Sequence, residues 1–308
     1  MSQDETATRG VAGGSAPVPG NWSYHEAFAR HRGLIAAEEQ ERLRRSKVAI
    51  AGMGGVGGIH LITLARLGIG RFHVADPDRF DVANFNRQYG ANTRNLGRDK
   101  AEVLADEARA INPELDLRVF ASAITPENVG DFLEGVDVLL DGIDFFAIEA
   151  RRLVFREARR RGIWAITAGP IGFSAAWLVF SPTGMSFDEY FDVDDAMDRG
   201  DQLVAFLAGL TPCATHLSYL DLSQADTRSG RGPSAGLACH LCSGVAAAET
   251  LKILLRRPPI RPAPWYFQFD AYRQRLCSGR LRFGNRSPLQ RLKRRLLRRR
   301  LEQLGWML

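Results

Sequence analysis

Apolar and polar positions alternate with two different periods through the first half of the chain. Residues 47–51 form a short apolar run that predicts a buried strand, and residues 59–67 follow with helical spacing and stop at Gly68 and Gly70. The alternation continues with a strand at 71–76, a helix at 99–111 closed by Asn112-Pro113, and a strand at 116–120. Next come a short helix at 126–133 behind Thr125 as N-cap, a strand at 136–141, a helix at 146–161 and a strand at 163–167. Strands separated by helices of this length predict a parallel, doubly wound sheet. Ahead of it, residues 22–31 and 36–46 have helical character, and residues 1–20 lack periodicity and are rich in Gly, Ser, Ala, Pro and Thr.

The pattern changes after Gly169-Pro170. A strand is expected at 173–180, a turn at 181–184, and a loop at 188–201 with seven acids against the single base Arg199. Residues 235–255 form a nearly all-apolar helix that needs burial on most sides, and 265–270 is a late strand. The predicted fold class is α/β, a Rossmann-like, doubly wound and mostly parallel sheet with a C-terminal α+β extension. The chain divides into a disordered leader (1–21), a nucleotide-binding domain (22–170), a continuation of the same fold (171–284) and a basic amphipathic tail (285–308).

Composition sharpens this only in places. A hydrophobic content of 45% and a charged content of 25% are ordinary for a globular protein. No stretch reaches the ~18 uninterrupted apolar residues of a membrane span. The start of the chain carries Asp4 and Glu5 and no apolar core, unlike a secretory signal. Cys213, Cys239, Cys242 and Cys277 are too few and too irregular for a disulfide scaffold, so a cytoplasmic location is expected. The net charge of +6 is unevenly placed: of 41 bases and 35 acids, eight bases and one acid fall in 286–308, leaving 33 against 34 in the body. The body is near neutral and does not advertise nucleic-acid binding.

The chemistry gathers at the ends of the predicted strands. Gly52, Gly54 and Gly57, with Gly55 between them, form G-x-G-x-x-G between a strand and a helix, where backbone N–H groups can meet phosphate. Asp76 ends the second strand and is placed to bind ribose hydroxyls. These residues alone fit NAD, FAD, SAM or ATP. Asp78, Asn84, Arg87, Gln88, Lys100 and Asp144 narrow the choice. A triphosphate with Mg²⁺ needs cations and a carboxylate, which Arg87, Lys100 and Asp144 supply.

In order and spacing, Gly52-Met-Gly-Gly-Val-Gly57, Asp76-x-Asp78, Asn84-x-x-Arg87-Gln88, Lys100 and Asp144 resemble the MoeB/ThiF adenylyltransferases, whose unit ubiquitin-activating enzymes share. The resemblance covers about residues 28 to 170 and continues more weakly through 235–255 and 265–270. It implies ATP and Mg²⁺ as cofactors, Asp76 on the ribose, Arg87 and Lys100 on the phosphates, and Asp144 on Mg²⁺. It further implies a homodimer in which Arg30 reaches the partner subunit's site. The activity implied is adenylation of a carboxylate, belonging to a small ubiquitin-like or sulfur-carrier protein, a peptide or a small molecule. Alternatives are a tRNA-modifying dehydratase of the same superfamily, a non-catalytic nucleotide-binding partner, and a nicotinamide oxidoreductase.

Two departures stand out. Asp144 is followed by Phe145 where the family commonly has Asn. The two zinc-binding Cys-x-x-Cys pairs of MoeB-type members are missing: Cys239 and Cys242 fall within the apolar helix and read as core residues, so no structural zinc is expected. Cys213, with His216 nearby, is a candidate thioester nucleophile whose ordinary role would be structural. In the tail, Leu289, Leu292, Leu296, Leu297, Leu301 and Leu304 recur at helical spacing among Arg and Lys, extended by Trp306-Met-Leu308. Such a helix suits docking on the body or a partner protein, an anionic membrane surface, or nucleic acid.

Overall fold

The computed structural model describes residues 20, 22–221, 224 and 232–305. Most of the expected leader, and Trp306-Met307-Leu308, lie outside the described residues.

Eight strands form one sheet: β1 (Lys47–Ala51), β2 (Arg71–Ala75), β3 (Asp116–Phe120), β4 (Val138–Asp141), β5 (Trp164–Ile171), β6 (Ser174–Phe180), β7 (Trp265–Asp270) and β8 (Arg275–Arg280). Their spatial order is β3-β2-β1-β4-β5-β6-β7-β8. The first five pair in parallel, and β6, β7 and β8 add on antiparallel. β8 has no counterpart in the sequence reading, because Arg275, Leu276, Ser278 and Arg280 are exposed on this edge strand and leave no apolar period.

Both faces of the central strands are covered, which is why they read as continuous apolar runs. Val48 and Ile50 of β1 enter one core, and Ala49 and Ala51 enter the other. The first core also holds α3 (Gly57–Arg66), α4 (Lys100–Ile111) and α9 (Gly236–Leu255). The second holds α5 (Val129–Phe132), α6 (Ile148–Arg160), α7 (Phe187–Phe191) and α8 (Arg199–Leu210). α9 is long and apolar enough to cross a membrane. Here it packs on β5, β6 and α3, and that burial accounts for its composition. Ahead of β1, α1 (Tyr24–Ala27), a 3-10 turn (Ala29–His31) and α2 (Ala37–Arg45) occupy the two expected helical segments.

The acidic stretch is not a solvated loop. Ser186 and Glu189 form a reciprocal N-terminal box on α7, and the Asp198 side chain accepts from Asp201 N at the start of α8. Phe187, Tyr190 and Phe191 are buried in the second core. The acids are held by arginines from elsewhere: Arg152 and Arg156 of α6 bind Asp188 and Asp195 at 2.6–3.0 Å. The remaining cations come from the tail, where α10 (Pro288–Gln303) packs on α8. Arg294 meets Asp192 at 2.8 Å, and Arg298 meets Asp201 at 3.2 Å. The acidic stretch and the basic tail are therefore partners within one fold.

Candidate functional site

β1 and β4 are neighbours in space but connect in opposite directions along the sheet, so a crevice opens at their carboxyl ends. The glycine loop lies there. Gly52 has φ +90°, and a Cβ on it would stand 2.2 Å from Gly142 O. A Cβ on Gly57 would stand 1.7 Å from Gly52 O. Only glycine satisfies both contacts, and they bring the amino end of α3 to the crevice. Gly54 and Gly55 complete the loop, and Cys239 of α9 closes over Gly55, with Sγ 3.2 Å from a built Cβ.

Asp76 follows β2 and is buried, with Oδ2 accepting from Met53 N at 2.6 Å and Oδ1 from Asp78 N at 2.8 Å. Burial raises its pKa, opposed by those two N–H donors and by Lys100. Asp76 thus shapes the glycine loop, and a carboxylate's remaining lone pairs can still meet ribose hydroxyls. Lys100 opens α4 with a buried side chain, and its Nζ sits 2.9 Å from Asp78 Oδ2. The sequence placed Lys100 and Asp78 in the site separately; the structure joins them.

Asn84 acts locally, with its Oδ1 accepting from Asp81 N and closing the 3-10 turn Val82–Asn84. That turn delivers Arg87, whose Nη1 donates to Ala83 O at 2.8 Å and to Asn86 Oδ1 at 3.0 Å. Asn86 also donates through Nδ2 to Ser234 O at 2.8 Å, and its carbonyl accepts from Gly236 N at 3.2 Å. The arm carrying Arg87 is thereby strapped to the start of α9. Asn86 escaped the sequence reading, although it lies inside the Asn84-x-x-Arg87 motif. Gln88 is buried beside Gly54, and its Oε1 has no partner among the described residues. An orphaned acceptor at the glycine loop fits a bound group that donates to it.

β4 ends at Asp141, as the apolar run predicted, and Asp144 stands exposed in the loop that follows, its Oδ1 accepting from Phe146 N at 2.9 Å. Asp141 is the buried one: Oδ2 accepts from Arg151 Nε and Thr167 Oγ1, both at 2.8 Å. Arg151 further donates to the carbonyls of Ile143 and Phe145, so the pair fixes the loop that presents Asp144. Two aspartates three apart were the available signal. Strand periodicity alone does not say which of them turns inward.

Five further residues complete the picture. Arg30 lies in the turn Ala29–His31, exposed and without an ion pair among the described residues. Cys213 is bonded to Cys277 of β8, contrary to the expectation of unpaired cysteines, so its thiol is not free to form a thioester. His216 turns to Gln268 instead, and burial lowers its pKa to about 4. Cys239 and Cys242 are buried on α9, and burial pushes the Cys239 thiol up to about 11.

Arg87 packs beside Gly55 of the glycine loop, and Asp144 lies two residues after Gly142, which packs against Gly52. The model of the ThiF family matches residues 28–291. The chain is 34% identical over 151 residues to the tRNA threonylcarbamoyladenosine dehydratase of Haemophilus influenzae, covering 49% of this chain and 57% of that protein. It is 34% identical over 129 residues to the sulfur carrier protein adenylyltransferase of Thermus thermophilus, covering 41% and 48%. The chain thus spans about half the length of the curated relatives it matches. Among solved structures, PaaA superimposes with a TM-score of 0.64 at 20% identity, covering 91% of this chain and 87% of that one. Escherichia coli MccB with ATP gives 0.62 at 19%, covering 88% and 75%. At such identities the superpositions speak for the fold alone. With its family match running from before β1 into α10, the chain belongs to the ThiF family.

Proposed function

We propose that the chain uses ATP to adenylate a carboxylate. The observation that carries this reading is Arg87 beside Gly55 of the glycine loop, with Lys100 on Asp78 next to Asp76, which holds Met53 of that loop, and with Asp144 two residues after Gly142, which packs against Gly52. A nicotinamide pyrophosphate needs little beyond backbone amides, whereas a triphosphate needs cations. In this reading the substrate carboxylate, ionised at neutral pH, attacks the α-phosphorus. One P–O bond forms, the bond to the β-phosphate bridge breaks, and pyrophosphate leaves with the electron pair. The protein supplies no nucleophile and works by placement and charge. Arg87 Nε and Nη2 make no hydrogen bond among the described residues and can turn to phosphate oxygens. Lys100 would leave or share Asp78 to do the same. Asp144, whose Oδ2 makes no hydrogen bond among the described residues, would hold the Mg²⁺ that neutralises phosphate charge.

The substrate class we favour is the C-terminal carboxylate of a small carrier protein or peptide. The Thermus relative acts on a sulfur carrier, and MccB was crystallised with MccA. A second reading, a carboxylate borne by tRNA, draws on the tRNA dehydratase relatives. ATP–pyrophosphate exchange separates them. Exchange stimulated by carrier proteins or peptides supports the first, exchange stimulated by tRNA alone supports the second, and no exchange with any of the panel removes both.

A further inference from the structure

α10 has two unlike faces. Its inner face is clamped to the body: Arg294 to Asp192 at 2.8 Å, Arg298 to Asp201 at 3.2 Å, Lys293 Nζ to Pro212 O at 2.7 Å, with Leu301 only 3% exposed. On the outer face Leu289, Leu292 and Leu296 are 62%, 52% and 54% exposed. The leucines of the tail therefore do not form one stripe. Leu301 goes inward and these three go outward.

The cations divide in the same way. Those on the inner face are neutralised by the acidic stretch or hydrogen-bonded to backbone. Arg291, Arg295, Arg299 and Arg300 are exposed, and their side chains have no acidic partner among the described residues. At about 100° per residue, Leu289, Leu292 and Leu296 fall on one narrow strip, with Arg295 and Arg299 along one edge and Arg300 along the other. A purely solvated helix face has no use for three aligned leucines. A polyanionic nucleic acid would pair the arginines while pressing those leucines against phosphate. An anionic bilayer accepts both groups, with the leucines in the acyl boundary and guanidiniums at the level of the headgroup phosphates.

The geometry points to the outer face of α10 as a docking surface for an anionic lipid membrane. The helix lies flat on that surface, and its inner-face ion pairs keep it part of the folded body while it does so. Three leucines are too small an anchor on their own, so attachment is peripheral, reversible and dependent on both lipid charge and leucine insertion.

The test is co-sedimentation of the full chain with vesicles of phosphatidylcholine alone or mixed with phosphatidylglycerol, at low and high salt. Binding to the mixed vesicles at low salt is expected, weakened at least about tenfold by neutral lipid or by high salt. Arg295→Glu/Arg299→Glu and Leu292→Ser/Leu296→Ser should each weaken it to a similar degree, with unchanged thermal unfolding and ATP–pyrophosphate exchange. Absence of binding to mixed vesicles at low salt overturns the inference. So does binding indifferent to the leucine pair, which would be generic charge attraction. Tighter, leucine-independent binding of the same face to RNA also overturns it. The same holds for a wild-type dimer in gel filtration that Leu292→Ser/Leu296→Ser converts to monomer.

Discussion

Arg151 Nε donates to Asp141 Oδ2 at 2.8 Å, with both side chains at most 4% exposed. This ion pair sits under the loop that presents Asp144, and Thr167 Oγ1 and Ile143 N also donate to Asp141. Removing one partner leaves an uncompensated buried charge, so Asp141→Ala or Arg151→Met should each destabilise the fold by about 3–5 kcal/mol. Urea unfolding of the two variants measures this directly. A loss under about 1 kcal/mol would show that water reaches the pair.

The charge set of the crevice makes a separate prediction about rate. Arg87→Ala and Lys100→Ala each remove a cation that the proposed reading sets against the phosphates, and should slow ATP–pyrophosphate exchange by about 10²-fold or more. Asp144→Ala should abolish exchange while leaving unfolding unchanged, because Asp144 is exposed and its side chain's only hydrogen bond among the described residues is from Phe146 N. Wild-type-like exchange in these variants would refute the assignment. Asn86→Ala should act at one remove, lowering the exchange rate more than it raises the KM for ATP, since the Asn86 side chain orients Arg87 and ties its arm to Ser234.

Arg30 tests assembly. It is exposed on the turn Ala29–His31 and has no ion pair among the described residues. Arg30→Ala and Asp144→Ala chains should each be inactive alone. Mixed and allowed to exchange subunits, they should recover up to about a quarter of wild-type exchange through the one intact site of each heterodimer. No recovery despite confirmed subunit mixing would count against the shared site.

Much of this was legible in the residues because it rests on local rules. Glycines at Gly52 and Gly57 announce a strand-to-helix turn, and the apolar runs of β1, β4 and β5 announce burial on both faces. What escaped reading depends on pairing between distant segments. The acids from Asp188 to Asp201 look solvated until Arg152, Arg294 and Arg298 are placed against them. Even so, the Ser186-x-x-Glu189 box was a usable helix signal. β8 is held by pairing with β7 rather than by its own pattern. Lys100 and Asp78 were each assigned to the site, and only the fold shows that they pair with each other.

Acid should weaken this fold through histidines it buries in neutral form. His60 on α3 is 1% exposed, neither ring nitrogen has a partner among the described residues, and burial lowers its pKa from 6.5 to about 3. His216 is lowered to about 4 by the same cause. Below pH 6.5 the unfolded chain therefore takes up protons that the native protein refuses. The stability these groups allow is complete above that value and is lost as pH falls toward their folded values. Each histidine contributes a slope of up to about 1.4 kcal/mol per pH unit in that window. Unfolding midpoints measured from pH 7 to pH 5 should fall steadily for the wild type. His60→Leu, close in volume and without orphaned nitrogens, should stabilise the protein at pH 7 by about 1 kcal/mol or more and flatten the acid slope. An unchanged slope in this variant would mean that His60 is protonated in the native state and that a counter-charge or water reaches it.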